Sequence, residues 1–391
     1  MRRVRGGQRE GRAIGNSFSC DAAACDDGAA HRFPAEYAAA RRAPLDAGAA
    51  SRVAYRPAML IEQAKGADRA ELLDFLYAVF TRGNPNHPRF ETFCDDLFEP
   101  DDETMGRHLV VREGGRIVSC VGAYPMDLHL AGCRIRFAGI GQVSTAKEAL
   151  GKGYMSALLK AQLERLKGEG VKLVWLGGRH DRYSHFGFEA AAWFQSAWFD
   201  SHSLERAPRS RAVAKIGEGP AAPVTPAMWE LRRRTDPFVD EPFERWRKRL
   251  GRIKCEVWTA TPAGAAEPDA WAVYSAEHKK IVDYAGAPGG ILEIAAETVK
   301  IANSLIVTVG SSDVGLMDAL RPWTGGIGLG MGMLLSLDNA ALLDAYAPLF
   351  PAGAPLPDPS LPSPAFVRAF FGPRPDGAPT APFFFPDLCH V

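Results

Sequence analysis

Several features are scarce in this 391-residue sequence, and each scarcity removes a class of protein. No uninterrupted apolar run reaches the ~18 residues that a helix needs to cross a bilayer. No hydrophobic stretch follows the N-terminal arginines as it does in a signal peptide. Neither a membrane span nor a secretory leader is expected on this reading, and the protein is placed in the cytoplasm. The seven cysteines (Cys20, Cys25, Cys94, Cys120, Cys133, Cys255 and Cys389) are odd in number and scattered. None forms a CxxC pair or sits near a histidine at zinc-ligand spacing, which speaks against a disulfide framework and a metal site. Charge of one sign is not in excess: Lys+Arg and Asp+Glu both number 46, so nothing in the net charge points to nucleic acid. The phosphate-loop pattern GxxxxGK[ST] is missing too.

What remains is ordinary globular material, with 47% hydrophobic and 24% charged residues, in a chain long enough for two or three domains. Residues 1–58 stand apart. They carry arginine but no lysine, are rich in Ala and Gly, and show no sustained apolar period. They read as a disordered tail or a product of start-site choice, because Met59-Leu-Ile-Glu looks like a natural start. The acidic pair Asp26-Asp27 argues against a transit peptide.

From Met59 the pattern is regular. Asp68-Arg-Ala-Glu71 has the form of a capping box ahead of Leu72, Leu73, Leu76, Val79 and Phe80 at helical spacing, and a shorter helical piece is expected near 90–98. Alternating strands follow at 108–112 and 116–121 around Glu113-Gly114-Gly115, then at 126–130 and 134–140. An amphipathic helix with Met155, Leu158, Leu159, Leu163 and Leu166 on one face leads to a short buried strand at 171–176. This α/β domain is expected to span 59–201. A Pro, Ser and Arg-rich linker is expected at 202–224, a second strand-and-helix series at 225–325, and a C-terminal extension at 326–391 that docks back on the core.

The chemistry concentrates between Gly141 and Leu159. A strand ends near Thr145, Gly151-Lys152-Gly153 forms a loop, and a helix begins at once. Glycines without Cβ let a diphosphate approach the backbone, and first-turn N–H groups supply donors and partial positive charge. A loop whose glycines merely turn the chain would look the same in isolation. About thirty residues on comes Tyr183-Ser-His-Phe186-Gly187-Phe188.

Together the two segments resemble the GNAT superfamily of N-acetyltransferases. The first is similar to its acetyl-CoA signature, Val-x-x-x-x-x-x-Arg/Gln-x-x-Gly-x-Gly/Ala, and the second to its Tyr-x-x-Phe-Gly-Phe/Tyr motif. The resemblance implies a GNAT acyltransferase fold followed by a second, degenerate GNAT-like α/β domain. It places Val143, Ser144 and Thr145 beside the pantetheine arm, and Gly151, Lys152, Gly153, Tyr154, Met155 and Ser156 at the pyrophosphate. Leu150 stands where the family has Arg or Gln, and Met155 where it has Gly or Ala; one side-chain contribution is lost with them. Tyr183 matches the family's proton donor to the CoA thiolate, and Phe186 an aromatic packed beneath it. In length and arrangement the chain is similar to the Eis-like (enhanced intracellular survival) acetyltransferases. There the terminal carboxylate acts as general base, a position that Val391 matches by being last.

The resulting expectation is acetyl-CoA-dependent N-acetylation of a small amine or peptide amine by direct attack, without metal, and with oligomeric state left open. The alternatives are a non-catalytic acyl-CoA-binding module and transfer of a longer acyl group. Other candidates have plainer readings. His108, His180 and His185 fit locally hydrogen-bonded or exposed histidines, and Asp127 and Glu148 fit surface carboxylates. The basic run Arg245-Trp-Arg-Lys-Arg249 fits a solvated helix face. Gly325-Gly-Ile-Gly-Leu-Gly330 lacks dinucleotide spacing and reads as a flexible loop. Phe383-Phe-Phe385 reads as a core or docking contact.

Overall fold

The computed structural model describes residues 59–81, 89–92, 94–130, 132–250, 255–310, 312–372 and 381–383. The expectations for 1–58 and for Val391 lie outside them.

The first half of the fold runs β1 (Ile61–Gln63), α1 (Arg69–Thr81), α2 (Asp102–Met105), β2 (His108–Glu113), β3 (Arg116–Leu130), β4 (Cys133–Thr145), α3 (Tyr154–Gly168), β5 (Leu173–Leu176), α4 (His180–Tyr183) and β6 (Glu189–Asp200). The second runs β7 (Arg211–Glu218), α5 (Pro226–Arg233), β8 (Phe238–Asp240), α6 (Phe243–Leu250), β9 (Cys255–Pro262), β10 (Ala270–Ser275), β11 (Lys280–Gly286), α7 (Pro288–Ala302), β12 (Ser304–Gly310), α8 (Val314–Leu320) and β13 (Gly326–Ser336). Helices α9 (Asn339–Tyr346) and α10 (Ser363–Phe371) follow. Apart from β8, the order of elements in the second half repeats that of the first.

Among the described residues one mixed sheet takes in both halves, in the order β1-β2-β3-β4-β5-β13-β6-β12-β11-β10-β9-β7, with β8 beside β3. The centre is an exchange. β13 runs antiparallel to β5, with Met333 opposite Leu176, and antiparallel to β6. β6 in turn pairs with β12, Ala197 opposite Val307. Each half thus receives its inner strand from the other.

Local chemistry explains most elements. Glu113 faces Arg116 across a two-residue turn whose Gly114 and Gly115 both have positive φ, which suits the twist of a tight hairpin. Alternation in β3 and β4 sends Tyr124, Met126, Leu128, Ile135 and Phe137 to one face, into a core shared with α1, α9 and α10. Val121, Ala123, Ala138 and Ile140 pack on the other, under α3. α7 covers the second half on the same pattern, with Ile291, Ile294, Ala295 and Val299 buried against β12. No helix among the described residues is long and apolar enough to cross a membrane.

Several expectations need correcting. Glu71 does not close a cap; its carboxylate accepts from Ile117 N (2.7 Å) and pairs with Arg112 (2.7 Å), so it ties α1 to the sheet. The helical piece near 90–98 is two single 3₁₀ turns. The segment 202–224 holds β7, an edge strand along β9. The glycine run begins β13 instead of a loop or an appended extension. A Cβ at Gly330 would run into the Phe194 ring, and one at Gly332 would stand 2.6 Å from Trp175 Nε1. These glycines make room for aromatic rings lying on the strand. The basic run at 245–249 is not simply solvated: Trp246 and Arg249 are buried, Arg249 pairs with Glu241, and Lys248 reaches Glu99 at 2.5 Å. Phe383 is core, edge-on to Phe137 and Phe371; Phe384 and Phe385 lie outside the described residues.

Candidate active site

β4 and β5 run parallel only from Phe137 opposite Leu173 to Ile140 opposite Leu176. Beyond Ile140 the two strands part, while Ser144 and Thr145 stay paired with Cys120 and Ser119 of β3. Among the described residues one edge of β4 is thereby left without a strand partner. Hydroxyls stiffen that end: Ser119 Oγ donates to Ser144 O (2.8 Å) and meets Thr145 Oγ1 (2.9 Å), and Ser144 Oγ donates to Gln142 O (3.0 Å).

The gap opens into a cleft of about 1350 Å³, walled by α1 residues such as Glu71 and Phe75, by the end of β4, by the loop 146–153 and by the first turn of α3. Gly151 (φ 76°) and Gly153 (φ 83°) are both left-handed, which brings the bare backbone up to the cleft. Gly153 is the N-cap of α3, with no side-chain cap and no acidic residue in the first turn. The first N–H groups of a helix have no intrahelical acceptor, so the helix presents donors and partial positive charge at this point.

Of the residues expected at the cofactor, Val143, Ser144, Thr145, Gly151, Gly153, Tyr154, Met155 and Ser156 line the cleft. Ser144 does so with its hydroxyl turned to the chain's own carbonyl. Lys152 does not line it. Its ammonium lies 2.8 and 2.9 Å from the two carboxylate oxygens of Glu113, which also accepts from the Tyr154 hydroxyl at 2.5 Å. Both charged groups of that cluster gain from the arrangement: the Lys152 and Tyr154 hydrogen bonds hold the Glu113 carboxyl below its usual range, and Glu113 raises Lys152. Leu150, at the rim, is 63% exposed.

Tyr183 is only 6% exposed and packs in the same apolar cluster as Val143 and Met155. Burial raises its pKa above the ordinary tyrosine value, with Arg182 working in the opposite direction. Arg182, the preceding residue, lines the cleft. The ring edge-on to Tyr183 is Phe188 (6.3 Å) in place of the expected Phe186, which packs at the margin of the cluster. Gly178 lets the Tyr183 ring in, since a Cβ there would stand 3.0 Å from Cε2.

Of the histidines, His180 lies 3.5 Å from Glu189, whose carboxylate also pairs with Arg368 of α10. His108 is fully buried, far from solvent. Sequence reading missed Glu113, Ser119, Tyr124, Gln142 and Arg182. Only Arg182 carried a local signal, as the neighbour of the motif tyrosine.

Residues 61–191 match the acetyltransferase (GNAT) domain family. The chain carries a GNAT acetyltransferase domain. No curated protein matches the chain in sequence. Solved structures extend the likeness beyond the GNAT domain. A GCN5-related N-acetyltransferase from Kribbella flavida is 18% identical, with 73% of each chain covered and a TM-score of 0.54. One from Anabaena variabilis ATCC 29413 is 15% identical, over 73% of this chain and 75% of that one, at 0.56. Eis1 from Mycobacterium abscessus is 17% identical, over 73% and 75%, at 0.50. At such identities the similarity concerns the fold.

Proposed function

We propose that the protein transfers an acetyl group from acetyl-CoA to the nitrogen of an amine. The observation that carries this reading is the cleft itself: a free strand edge at 143–145 meets the uncapped N-terminus of α3 across two left-handed glycines. A diphosphate fits the α3 end, where backbone donors and the helix dipole favour an anion. A pantetheine arm carries amides, and the unpaired N–H and C=O groups of β4 suit it as a strand suits a partner strand.

The chain's groups then divide the work. A neutral amine attacks the thioester carbon, and a C–N bond forms as the C–S bond breaks. A backbone N–H near Val143 stabilises the oxygen that gains charge. Tyr183 donates its proton to the departing sulfur and is reprotonated, through water, by the proton that the attacking nitrogen loses; a hydroxyl kept protonated by burial is suited to that role. The acceptor is an amine, small or peptidic, entering beside the bound thioester.

Titration calorimetry with acetyl-CoA, followed by thiol release over a panel of amines, tests the proposal. Micromolar binding with amine-dependent thiol release is expected. No binding at millimolar acetyl-CoA would overturn it. Binding without release from any amine would leave an acyl-CoA-binding module, and faster release from longer donors would make the transferred group a longer acyl chain.

A further inference from the structure

Behind the free end of β4 lies a buried polar chain that does not touch the cleft. It centres on Gln142, whose φ of 49° falls in the left-handed region that residues other than glycine rarely enter. Gln142 also marks a bulge. Gly122 pairs with Gly141 and Cys120 with Ser144, so β4 carries one residue more than β3 over this stretch. The pairing of β4 with β5 ends just before it, at Ile140. The departure that opens the cleft therefore coincides with one strained residue.

Side chains hold it there. The Gln142 carboxamide is hydrogen-bonded to the Tyr124 hydroxyl, which stands 2.8 Å from His108 Nε2. His108 Nδ1 lies 3.1 Å from the carbonyl of Met105, the last residue of α2. His108 and Tyr124 are fully buried and Gln142 nearly so. The Met105 carbonyl can only accept, so Nδ1 carries the imidazole hydrogen. Burial pushes the His108 pKa down to about 4, so the ring is neutral and Nε2 is an acceptor. The single Tyr124 hydrogen then goes to His108, and the Gln142 carboxamide, which faces the phenol with Oε1, turns its NH₂ there by an amide flip so that the phenol oxygen has a donor. Each donor along the chain meets an acceptor, the condition under which a dry network fixes one geometry. Gly122 leaves the space: a Cβ there would stand 2.6 Å from the Tyr124 oxygen and 2.8 Å from the end of the Gln142 carboxamide.

We propose that His108, Tyr124 and Gln142 are positioning residues for the acyl-CoA cleft. The chain anchored at Met105 locks the β4 bulge, and the locked bulge keeps the backbone of 143–145 away from β5 and turned to the ligand. None of the three side chains lines the cleft, so they act through the backbone. This inference rests on reading the cleft as an acetyl-CoA site.

The test compares two substitutions at one position. Gln142→Ala removes the tether and must still take a left-handed φ, whereas Gln142→Gly removes the tether and takes that φ freely. With acetyl-CoA as probe, Gln142→Ala is expected to weaken binding about tenfold and Gln142→Gly to restore it to within about threefold of wild type. Tyr124→Phe is expected to weaken binding about as much as Gln142→Ala, and to have less than a threefold effect when Gln142→Gly is already present. A side chain that merely stabilised the fold would shift the melting temperature in every variant without this dependence on glycine. Equal affinities for the alanine and glycine variants would overturn the proposal.

Amide hydrogen exchange over 141–145 without ligand keeps the two readings apart. Changed exchange there in Gln142→Ala, reversed in Gln142→Gly, supports the lock even if wild type binds no acetyl-CoA, in which case only the cofactor reading fails. Unchanged exchange in a protein that binds acetyl-CoA normally means that the lock is wrong and the cofactor reading stands.

Discussion

β4 parts from β5 after Ile140, and β11 parts from β12 after Ile281, so each half of the sheet carries a parallel pair that opens at one end. In each, a fifteen-residue helix joins the two strands. What fills the opening differs. In the first half it is a cleft, and the helix begins at Gly153 with its first N–H groups turned to it. In the second, Arg232 and Asp283 form a buried pair (3.3 Å), and the Tyr284 hydroxyl donates to Asp313 (3.2 Å). The helix start is closed as well. A Cβ at Gly290 would stand 2.5 Å from that of Ala270. Glu293, one turn on, accepts from the backbone N–H groups of Ser210 (3.0 Å) and Arg211 (2.9 Å). A shared topology thus provides the opening, and side chains decide whether it stays open. Both helix starts lack a side-chain cap; they differ in what packs against them, an open cleft at α3 and the side chains of Ala270 and Arg211 at α7.

That contrast can be broken by experiment. The largest effect is expected from Asp283→Ala, which strands the buried Arg232 guanidinium. Removing one member of a buried ion pair costs roughly 3–5 kcal/mol, so the urea midpoint should drop sharply while acetyl-CoA affinity of the folded protein stays the same. A large loss of affinity would show that the second half is not merely structural.

Acid should strike the first half through His108. Its pKa is about 4 when folded, against an ordinary value near 6.5, so the unfolded chain binds the proton first. The stabilisation is complete above the ordinary value and is lost as pH falls from about 6.5 to 4, by roughly 3 kcal/mol at most. Urea midpoints measured against pH should show this slope in wild type and a shallower one in His108→Gln.

Tyr183→Phe should lower kcat by about a hundredfold, within the usual range for a lost general acid, with little change in acetyl-CoA affinity. Steady-state kinetics beside calorimetry would separate the two, and an unchanged kcat would remove Tyr183 from the reaction. Gly153→Val forces a β-branched residue to φ 83° and should weaken acetyl-CoA binding about thirtyfold. Lys152→Ala should do least, less than about threefold in affinity, because its charge is already committed to Glu113. A much larger loss would mean that Lys152 leaves Glu113 when ligand binds.

The sequence was most informative where structure is local. The glycine loop, the helix after it and the Tyr183 motif each fit within a few residues, and the cleft lies where they point. Lys152 shows the limit: three residues of context put it on the pyrophosphate, while its partner Glu113 comes 39 residues earlier. The lock on β4 was illegible for the same reason. Tyr124 and Gln142 are 18 residues apart, and no glycine announces the left-handed backbone at 142. Strand β13 was hidden by composition. Glycine is poor in strand propensity, and the rings of Trp175 and Phe194 that need its flatness come from β5 and β6, more than a hundred residues away.

The exchange at the centre of the sheet also bears on how the chain is made. A ribosome releases β5 and β6 long before Met333 and Leu334, the residues that bridge them. Until then the nascent protein holds two bare strand edges, each able to pair with the wrong neighbour. Completion waits on contacts spanning some 150 residues, the kind of topology that folds slowly. A stop codon placed before Gly326 would therefore do more than remove the rear of the molecule: it would leave the acetyltransferase domain with a seam it has no strand to close.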